Sequence, residues 1–323
     1  MSKIALIFGI SGQDGAYLSK LLLQKGYEVH GTSRDAEINN FSSLLYLGIK
    51  DFIEFHSVSL TDFRSVLQVI EKVEPNEIYN LSGQSSVGLS FEQPLETLES
   101  IAIATINILE SMRFLGANFH FYNATSSESF GDTGDLPANE KTPFNPKSPY
   151  GVAKASAFWQ VANYRESYGL FSCSGIMFNH ESNLRPKRFV TRKICKAAAR
   201  IALGSDETLE LGDINISRDW GWAPEYVNAM WMMLQQKNAE DFIIATGYLN
   251  SLREFISYAF SALDLNWENY VTSNPKIFRP SEIRAVYGCP KKANTKLNWS
   301  AEKTMPEIAN LMSLHEFELL KNK

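Results

Sequence analysis

Tyr150 and Lys154 lie four residues apart in the segment Ser148–Lys154, which reads SPYGVAK. On a helix this spacing places both side chains on one face. An ammonium group beside a phenol favours the phenolate and lowers the tyrosine pKa, so that the tyrosine can accept a hydroxyl proton. Many surface helices carry a Tyr and a Lys at this spacing. Ser126, just past a predicted strand, makes proton transfer beside a bound cofactor the better interpretation.

A glycine triplet with the spacing GxxGxxG lies between the first predicted strand and the first predicted helix. Glycine lets the backbone turn tightly and approach a diphosphate, whose charge is favoured at a helix N-terminus. Such a turn can also be purely structural, but its position in a strand–helix–strand unit favours a dinucleotide. The predicted contacts in this loop are Gly9, Ser11, Gly12, Gln13, Asp14 and Gly15.

The end of the second predicted strand bears on the choice between NAD and NADP. NAD enzymes usually offer a carboxylate there to the ribose hydroxyls, whereas NADP enzymes supply an arginine. The chain reads GTSR at this point, with Arg34 and no carboxylate. We therefore expect NADP rather than NAD, although the adjacent Asp35 is able to neutralise Arg34.

The elements that must position these groups alternate between strand and helix. Strands are predicted at 3–8, 27–31, 51–56, 77–81 and 119–122, and helices at 14–25, 62–73 and 94–115. This alternation predicts an α/β protein with a doubly wound parallel sheet, the Rossmann arrangement that binds dinucleotides. A helix near 148–168, a strand near 173–178 and a helix near 192–203 continue the pattern.

The second half is less regular and predicts a smaller C-terminal α/β lobe for the substrate. We assign residues 1–178, with a return segment near 222–248, to the cofactor domain. Residues 179–221 and 249–323 are assigned to the substrate lobe.

Composition narrows the class of protein. A formal net charge of -5 without a basic run argues against nucleic acid, and no apolar run approaches the ~20 residues of a membrane span. The first ten residues are interrupted by glycine too early for a signal peptide. Cys173, Cys195 and Cys289 are widely spaced and lack metal-ligand spacing, which predicts free thiols. We expect a cytoplasmic protein without a metal site.

The order of the glycine triplet, Ser126 and the Tyr150–Lys154 pair resembles the short-chain dehydrogenase/reductase superfamily. Longer segments resemble one family within it, that of GDP-mannose 4,6-dehydratase, from Ile4 to a final helix near Leu311. The segments are GQDGAYL, YNLSGQSSV, SSESFG, TPFNPKSPYGVAK, NYRESYG, FNHES, FVTRKI, RDWG, AMWMMLQ and RPSE.

The resemblance implies an internal redox cycle. Tyr150, with Ser126 and Lys154, takes the O4 proton of the sugar while hydride leaves C4 for the nicotinamide. Glu128, two residues after the catalytic serine, removes the C5 proton and returns it to the departing C6 hydroxyl. The hydride then goes to C6. Leu81 is an implied cofactor contact, and a glutamate that merely caps a loop is the alternative for Glu128.

The resemblance also implies a GDP-sugar substrate and a homodimer or homotetramer, paired through helices that include the one carrying Tyr150. Guanidinium groups suit a diphosphate because they bind its oxygens in pairs. The implied substrate contacts are Ser85, Asn179, Arg185, Lys193, Arg218, Arg279 and Glu282.

Some residues depart from the family pattern. Asn183 stands where the family commonly has proline, Trp222 where it has histidine or phenylalanine, and Ser59 where an aspartate approaches adenine. An arginine pair after the second strand is reduced to Arg34 and Asp35. These changes leave room for another GDP-sugar, such as GDP-N-acetylglucosamine or a GDP-heptose.

Two other functions are compatible with the sequence. A GDP-4-keto-6-deoxy-sugar reductase or epimerase needs Ser126, Tyr150 and Lys154 but not Glu128. A non-catalytic protein that binds the nucleotide-sugar or NADP needs none of the four.

Overall fold

The structure is a computed structural model that describes residues 2–116 and 118–322. The strands are β1 (Ile4–Phe8), β2 (Glu28–Ser33), β3 (Ile53–Ser57), β4 (Glu77–Asn80), β5 (His120–Ser126), β6 (Phe171–Met177), β7 (Asn179–Glu181), β8 (Leu209–Leu211), β9 (Ser217–Arg218), β10 (Trp220–Trp222), β11 (Phe242–Ile244), β12 (Asn250–Ser251), β13 (Val271–Ser273) and β14 (Ala285–Val286). The helices are α1 (Gln13–Gln24), α2 (Ser42–Tyr46), α3 (Phe63–Val73), α4 (Val87–Glu92), α5 (Pro94–Leu98), α6 (Ala104–Leu115), α7 (Pro149–Tyr168), α8 (Val190–Ala202), α9 (Ala223–Leu234), α10 (Leu252–Ser261), α11 (Lys291–Leu297) and α12 (Met305–Lys321).

Within the described residues, seven parallel strands form the central sheet in the order β11-β6-β5-β4-β1-β2-β3. The apolar run of β1 is buried on both faces, as a central parallel strand requires. Helices α1, α9 and α11 pack against one face, and α3, α6 and α7 against the other. The predicted doubly wound parallel sheet is confirmed.

Two predicted elements differ from the observed ones. β5 extends to Ser126, beyond the predicted end at 122, because its polar residues are buried with partners: Asn80 donates a hydrogen bond to Asn123 at 3.0 Å. The helix predicted over 94–115 is continuous but contains a π turn at Glu99–Ile103 between α5 and α6. Glu96, before this turn, and Ser100, within it, line a cavity, and after the turn α6 contributes to the core.

The second half carries three small sheets beside the main one. β7 pairs with β10, β8 with β13, and β9 lies between β12 and β14. Helices α8, α10 and α12 pack around Trp220 and form a separate hydrophobic cluster. α11 packs instead against the main sheet, near β11. The division into a cofactor domain and a substrate lobe stays a prediction.

The three cysteines are free thiols, as predicted, and burial raises the pKa of Cys195 to about 12. In the part of the chain that the structure describes, no helix combines the length and apolar character that are needed to span a bilayer.

Candidate active site

Ser126 and Tyr150 come together because β5 ends where α7 begins. Ser126 is the last residue of β5, and Ser148 caps α7 by accepting a hydrogen bond from the Gly151 N–H at 3.1 Å. A Cβ at Gly151 would lie 2.7 Å from the Glu128 carbonyl oxygen, so only glycine lets the helix approach the turn after β5 this closely. The predicted spacing thus places Tyr150 and Lys154 beside that turn.

The protonation of Tyr150 differs from the sequence expectation. Burial raises the pKa of Tyr150 to about 12, and a hydrogen bond with Ser126 only partly offsets it. We expected Lys154 to lower this pKa. Its ammonium lies 5.9 Å from the centre of the phenol ring, and the loss of hydration is the larger effect. In the chain alone, therefore, the phenol keeps its proton.

Lys154 is buried without a carboxylate partner. Its Nζ donates a hydrogen bond to the Ala124 carbonyl at 2.7 Å. Burial lowers the pKa of Lys154 to about 8, and Asp14 offsets this only in part. The site thus holds a phenol and an amine whose proton affinities are set mainly by burial.

Glu128 is buried in the same region, with 9% of its surface exposed. Burial raises the pKa of Glu128, while the guanidinium groups of Arg218 and Arg279 act in the opposite direction. Its backbone N–H donates to the Ser126 hydroxyl at 3.3 Å. A buried carboxyl with a raised pKa beside cations can both take and return a proton.

Ser126, Glu128, Tyr150 and Lys154 line one cavity of about 350 Å³, which we call the catalytic cavity. A second cavity of about 660 Å³, the cofactor cavity, is lined by the glycine loop and the end of β2. The two cavities share wall residues: Asp14, Leu81, Ser82, Gly83, Gln84, Ser85, Arg185, Arg188 and Phe189. A ligand in the cofactor cavity can thus extend to the catalytic residues.

The glycine loop closes tightly against the strand beside it. Gly9 has a φ of +86°, and a Cβ there would lie 2.7 Å from the Leu81 carbonyl. Gly12 is the N-cap of α1, and Ser11, Gly12 and Gly15 also line the cofactor cavity. The loop therefore exposes backbone at a helix N-terminus, which suits a phosphate group.

The side chains of Gln13 and Asp14 are occupied by the second half of the chain. Gln13 donates to the His180 carbonyl at 3.1 Å and accepts from Ser182 at 2.7 Å. Asp14 pairs with His180 Nε2 at 2.9 Å. Burial alone would raise the pKa of Asp14, but His180 lowers it below its usual value. These contacts fix α1 against β7.

Arg34 and Asp35 do not pair with each other. Asp35 accepts hydrogen bonds from the backbone N–H groups of Glu37 at 3.0 Å and Ile38 at 3.1 Å. Arg34 lines the cofactor cavity with Ser33 and Ser59. Among the described residues that line this cavity at the end of β2, no carboxylate is present.

Three predicted arginines reach the catalytic cavity: Arg185, Arg218 and Arg279. Arg218 is 3% exposed and donates to the Ile283 carbonyl at 2.8 Å and to Glu282 at 3.1 Å. Glu282 also accepts from Arg279 at 3.2 Å. Glu282 therefore holds both guanidinium groups from behind rather than lining the wall.

Of the other predicted substrate contacts, two line the catalytic cavity and one does not. Ser85 and Asn179 line the catalytic cavity. Lys193 is not among the described residues that line either cavity, because its Nζ donates to the Glu210 carbonyl at 2.7 Å. The structure thus brings all the predicted residues together except Lys193, with Glu282 behind the arginines.

Several residues line the cavities without having been predicted as contacts, and His180 and Arg188 are among them. His180 lines the catalytic cavity, and the polar run Asn179–Ser182 after a buried strand is a signal that could have found it. Arg188 lines both cavities and donates to the Ser85 hydroxyl at 3.2 Å. Its position depends on the path of the loop after β7, for which the sequence holds no signal.

The sequence of the chain is similar to those of known proteins, and so is its fold. A sequence model of the family described as GDP-mannose 4,6 dehydratase matches residues 6–312. The chain is 42% identical to GDP-mannose 4,6 dehydratase 2 of Arabidopsis thaliana, over 99% of this chain and 88% of that protein. It is 41% identical to GDP-mannose 4,6-dehydratase of Sinorhizobium fredii, over 99% and 98%. Its fold is similar to that of Thermus thermophilus UDP-glucose 4-epimerase in complex with NAD, with a TM-score of 0.85, 23% identity and coverage of 97% and 98%.

Proposed function

The chain belongs to the GDP-mannose 4,6-dehydratase family, and we propose that it is an NADP-dependent lyase that removes water from GDP-mannose or a closely related GDP-sugar. The product is the GDP-4-keto-6-deoxy-sugar. The observation that carries this proposal is the buried Glu128 carboxyl, whose pKa is raised, in one cavity with Ser126, Tyr150 and Lys154.

The cofactor cavity fits a nicotinamide dinucleotide. Gly9 has no room for a side chain against Leu81, and the loop offers backbone N–H groups to a diphosphate. The cofactor would be held by the loop and its surroundings, with Lys154 and Tyr150 at its catalytic end. The proposed contacts are Gly9, Ser11, Gly12, Gln13, Asp14, Gly15, Arg34 and Leu81. When bound, NADP would take a hydride from C4 of the sugar and return it to C6.

NADP is favoured over NAD by the charges at the end of β2. Arg34 lines the cofactor cavity, whereas the Asp35 carboxylate is held by the backbone N–H groups of the following residues. A ribose 2′-phosphate would therefore meet an arginine rather than a carboxylate.

Tyr150 is the group that takes the O4 proton of the sugar. Its Oη receives the proton as the C4–H bond gives up a hydride, and the Ser126 hydroxyl holds the same oxygen by a hydrogen bond. Because burial raises the pKa of Tyr150 to about 12, the nearby positive charge of Lys154 is needed to favour the phenolate when substrate is bound.

Glu128 then performs the elimination. A ketone at C4 acidifies the C5 proton, and the Glu128 carboxylate removes it. The C6–O bond breaks, and the protonated Glu128 gives its proton to the leaving hydroxyl, which departs as water. When C6 receives its hydride, the proton that Tyr150 took from O4 is returned to C5, so that no proton is gained or lost in the cycle. A carboxyl with a raised pKa suits this double role, since it binds the proton strongly enough to carry it from C5 to O6.

The GDP portion would lie along the arginine-lined wall of the catalytic cavity. Arg218 and Arg279 are oriented by Glu282, and Arg185 lies with its guanidinium carbon 3.8 Å from the centre of the Phe189 ring. Groups fixed in this way bind a diphosphate without first losing side-chain freedom. Ser85 and Asn179 are proposed contacts to the sugar and its phosphate.

We also propose a cytoplasmic homodimer or homotetramer. Large apolar side chains stand exposed on α6 and α7, among them Phe114, Val152 and Trp159. Pairing these helices with those of a second copy would cover them. The free thiols suit a reducing compartment.

The first experiment is an incubation of the purified protein with GDP-mannose and, separately, with GDP-N-acetylglucosamine, followed by mass spectrometry. Loss of one water from either sugar, without net change in NADPH, supports the dehydratase and identifies its substrate. Turnover of a 4-keto-sugar with consumption of NADPH would instead support the reductase or epimerase.

Glu128→Gln separates the two halves of the cycle. The variant should oxidise C4 but not eliminate water, so kcat for dehydration should fall by about 10²–10⁴-fold while absorbance of the reduced nicotinamide accumulates. Glu166→Gln, an exposed change on α7, is the matched control and should keep full activity. Normal turnover in Glu128→Gln would remove the main support for the proposal.

A further inference from the structure

A cluster of two histidines and two glutamates lies on β2 and β3, outside the region described above. His30 and Glu28 are on β2, and Glu54 and His56 are on β3, the edge strand of the sheet. None of the four is among the described residues that line the catalytic or cofactor cavity. The proposed dehydration assigns them no role.

His30, His56 and Glu54 can each offer one ligand atom to a metal ion, since these atoms lie within 4.8 Å of one another. His30 Nδ1 lies 2.9 Å from His56 Nε2, and the Glu54 carboxylate oxygens lie 3.8 Å and 3.7 Å from these two nitrogens. Two ligands of a tetrahedral ion with bonds of about 2.0–2.1 Å are roughly 3.3–3.4 Å apart. The observed separations bracket this value, so small rotations of the side chains bring all three onto one ion.

Glu28 determines which ring nitrogen of His30 is available to bind a metal ion. Its carboxylate lies 3.0 Å from His30 Nε2, which therefore carries the ring proton and donates it. The lone pair of His30 is then on Nδ1, the nitrogen that faces His56 and Glu54. A carboxylate that fixes the tautomer of a histidine in this way is a common second partner of metal ligands.

The burial of the two histidines and the exposure of Glu54 fit a metal site that is open to solvent on one side. His30 is 5% and His56 8% exposed, whereas more than half of the Glu54 side chain is open to solvent and gives an ion access.

We propose that His30, His56 and Glu54 bind a divalent late transition-metal ion such as Zn²⁺, with Glu28 as the partner that orients His30. In the ion-free chain the two imidazole rings lie within 16° of one plane and share one hydrogen between their facing nitrogens. When the ion binds, the ring hydrogen of His56 moves from Nε2 to Nδ1, and both rings turn to direct their lone pairs at the ion. Water fills the open coordination position.

The charged neighbours of the cluster act on a bound cation in opposite directions. Glu28 and Glu54 favour the ion, while Lys72, 3.8 Å from Glu54, opposes it.

The test is calorimetric titration of the full-length chain with Zn²⁺, repeated with Co²⁺. We expect one ion per chain. His56→Gln should weaken binding by about 100-fold or more, and Glu28→Gln by roughly 10–100-fold. Glu54→Gln alters an exposed side chain that the fold does not need, and it should weaken binding by about tenfold or more. His315→Gln, on α12, is the matched control and should bind as the wild type does.

Two results would overturn the proposal. One is wild-type protein that binds no ion at concentrations up to about 1 mM, where even a weak site is half filled. The other is Glu54→Gln and His56→Gln variants that remain folded, by their melting temperatures, and bind Zn²⁺ as tightly as the wild type.

Discussion

The two adjoining cavities are built in different ways. The cofactor cavity is formed mainly by the loops after β1, β2, β3 and β4, which contribute backbone, hydroxyl groups and Arg34, and it shares Arg185 and Arg188 with the catalytic cavity. The catalytic cavity gathers buried ionisable side chains, including Glu128, Lys154 and Arg218, from segments far apart in the chain. The cofactor cavity is thus suited to bind a charged ligand through its shape and its hydrogen-bonding groups. In the catalytic cavity, burial sets the pKa values of the groups that would transfer protons.

This difference implies different responses to substitution. A change in the catalytic cavity should alter the rate of proton transfer and the pH dependence of stability, with little effect on cofactor affinity. A change in the cofactor cavity should alter affinity and selectivity, with little effect on the chemical step.

The largest expected effect is that of Tyr150→Phe. The variant keeps the packing of the ring but has no group to take the O4 proton, so kcat should fall by about 10³–10⁴-fold. Because the cofactor cavity is unchanged, the variant should bind NADP normally and leave it oxidised when GDP-sugar is added. Absorbance and turnover measure both. Tyr168→Phe, exposed on the same helix, is the control. Comparable loss in both variants would contradict a specific role for Tyr150.

The next effect is that of Lys154→Met, which should lower kcat by about 10²-fold. In the folded chain burial lowers the pKa of Lys154 from 10.5 to about 8. Between these values the unfolded chain binds more protons, so wild-type stability gains a contribution as pH rises from about 8 to 10.5, by at most about 3 kcal/mol. The variant should lack this gain.

Melting temperatures across this pH range measure the effect, with Lys147→Met, at an exposed position, as the control for loss of one charge. Parallel stability curves for the wild type and Lys154→Met would show that Lys154 is not perturbed by burial.

The smallest expected effect is that of Arg34→Ala in the cofactor cavity. Loss of one charged hydrogen-bond donor should raise the Kd for NADP by about 10–100-fold and leave the Kd for NAD within roughly threefold. Fluorescence titration with each cofactor measures this, and Arg64→Ala, exposed on α3, is the control. Equal weakening of NAD and NADP would contradict recognition of a 2′-phosphate.

The sheet could be predicted from the sequence because its strands are short segments with apolar residues that alternate with helical segments along the chain. β5 was the exception, since its final residues, Asn123, Thr125 and Ser126, are polar yet lie within the strand. A buried polar residue in a strand depends on a partner from another element, here Asn80 of β4. Local sequence does not reveal such a partner.

In the candidate site, too, local patterns could be predicted from the sequence, whereas features that depend on distant residues could not. The glycine loop and the Tyr150–Lys154 spacing are local patterns, and the structure brings them together as expected. The pKa of Tyr150 depends on everything that excludes water from the ring, so its direction could not be read from one neighbouring lysine. His180 acquired its position through Asp14, which lies 166 residues away.

The π turn at Glu99–Ile103 restricts where α5 and α6 can gain or lose a residue. Glu96, ahead of the turn, and Ser100, within it, line the cofactor cavity, and Ser100 accepts a hydrogen bond from the Gln84 N–H at 3.2 Å. Behind it, Ile108 and Met112 face the core. Deleting one residue there would leave an ordinary helix but rotate one half against the other by about 100°. The extra residue thus allows one set of side chains to line the cofactor cavity while those of α6 face the core. An insertion or deletion within α5 or α6 would misalign one of these two sets.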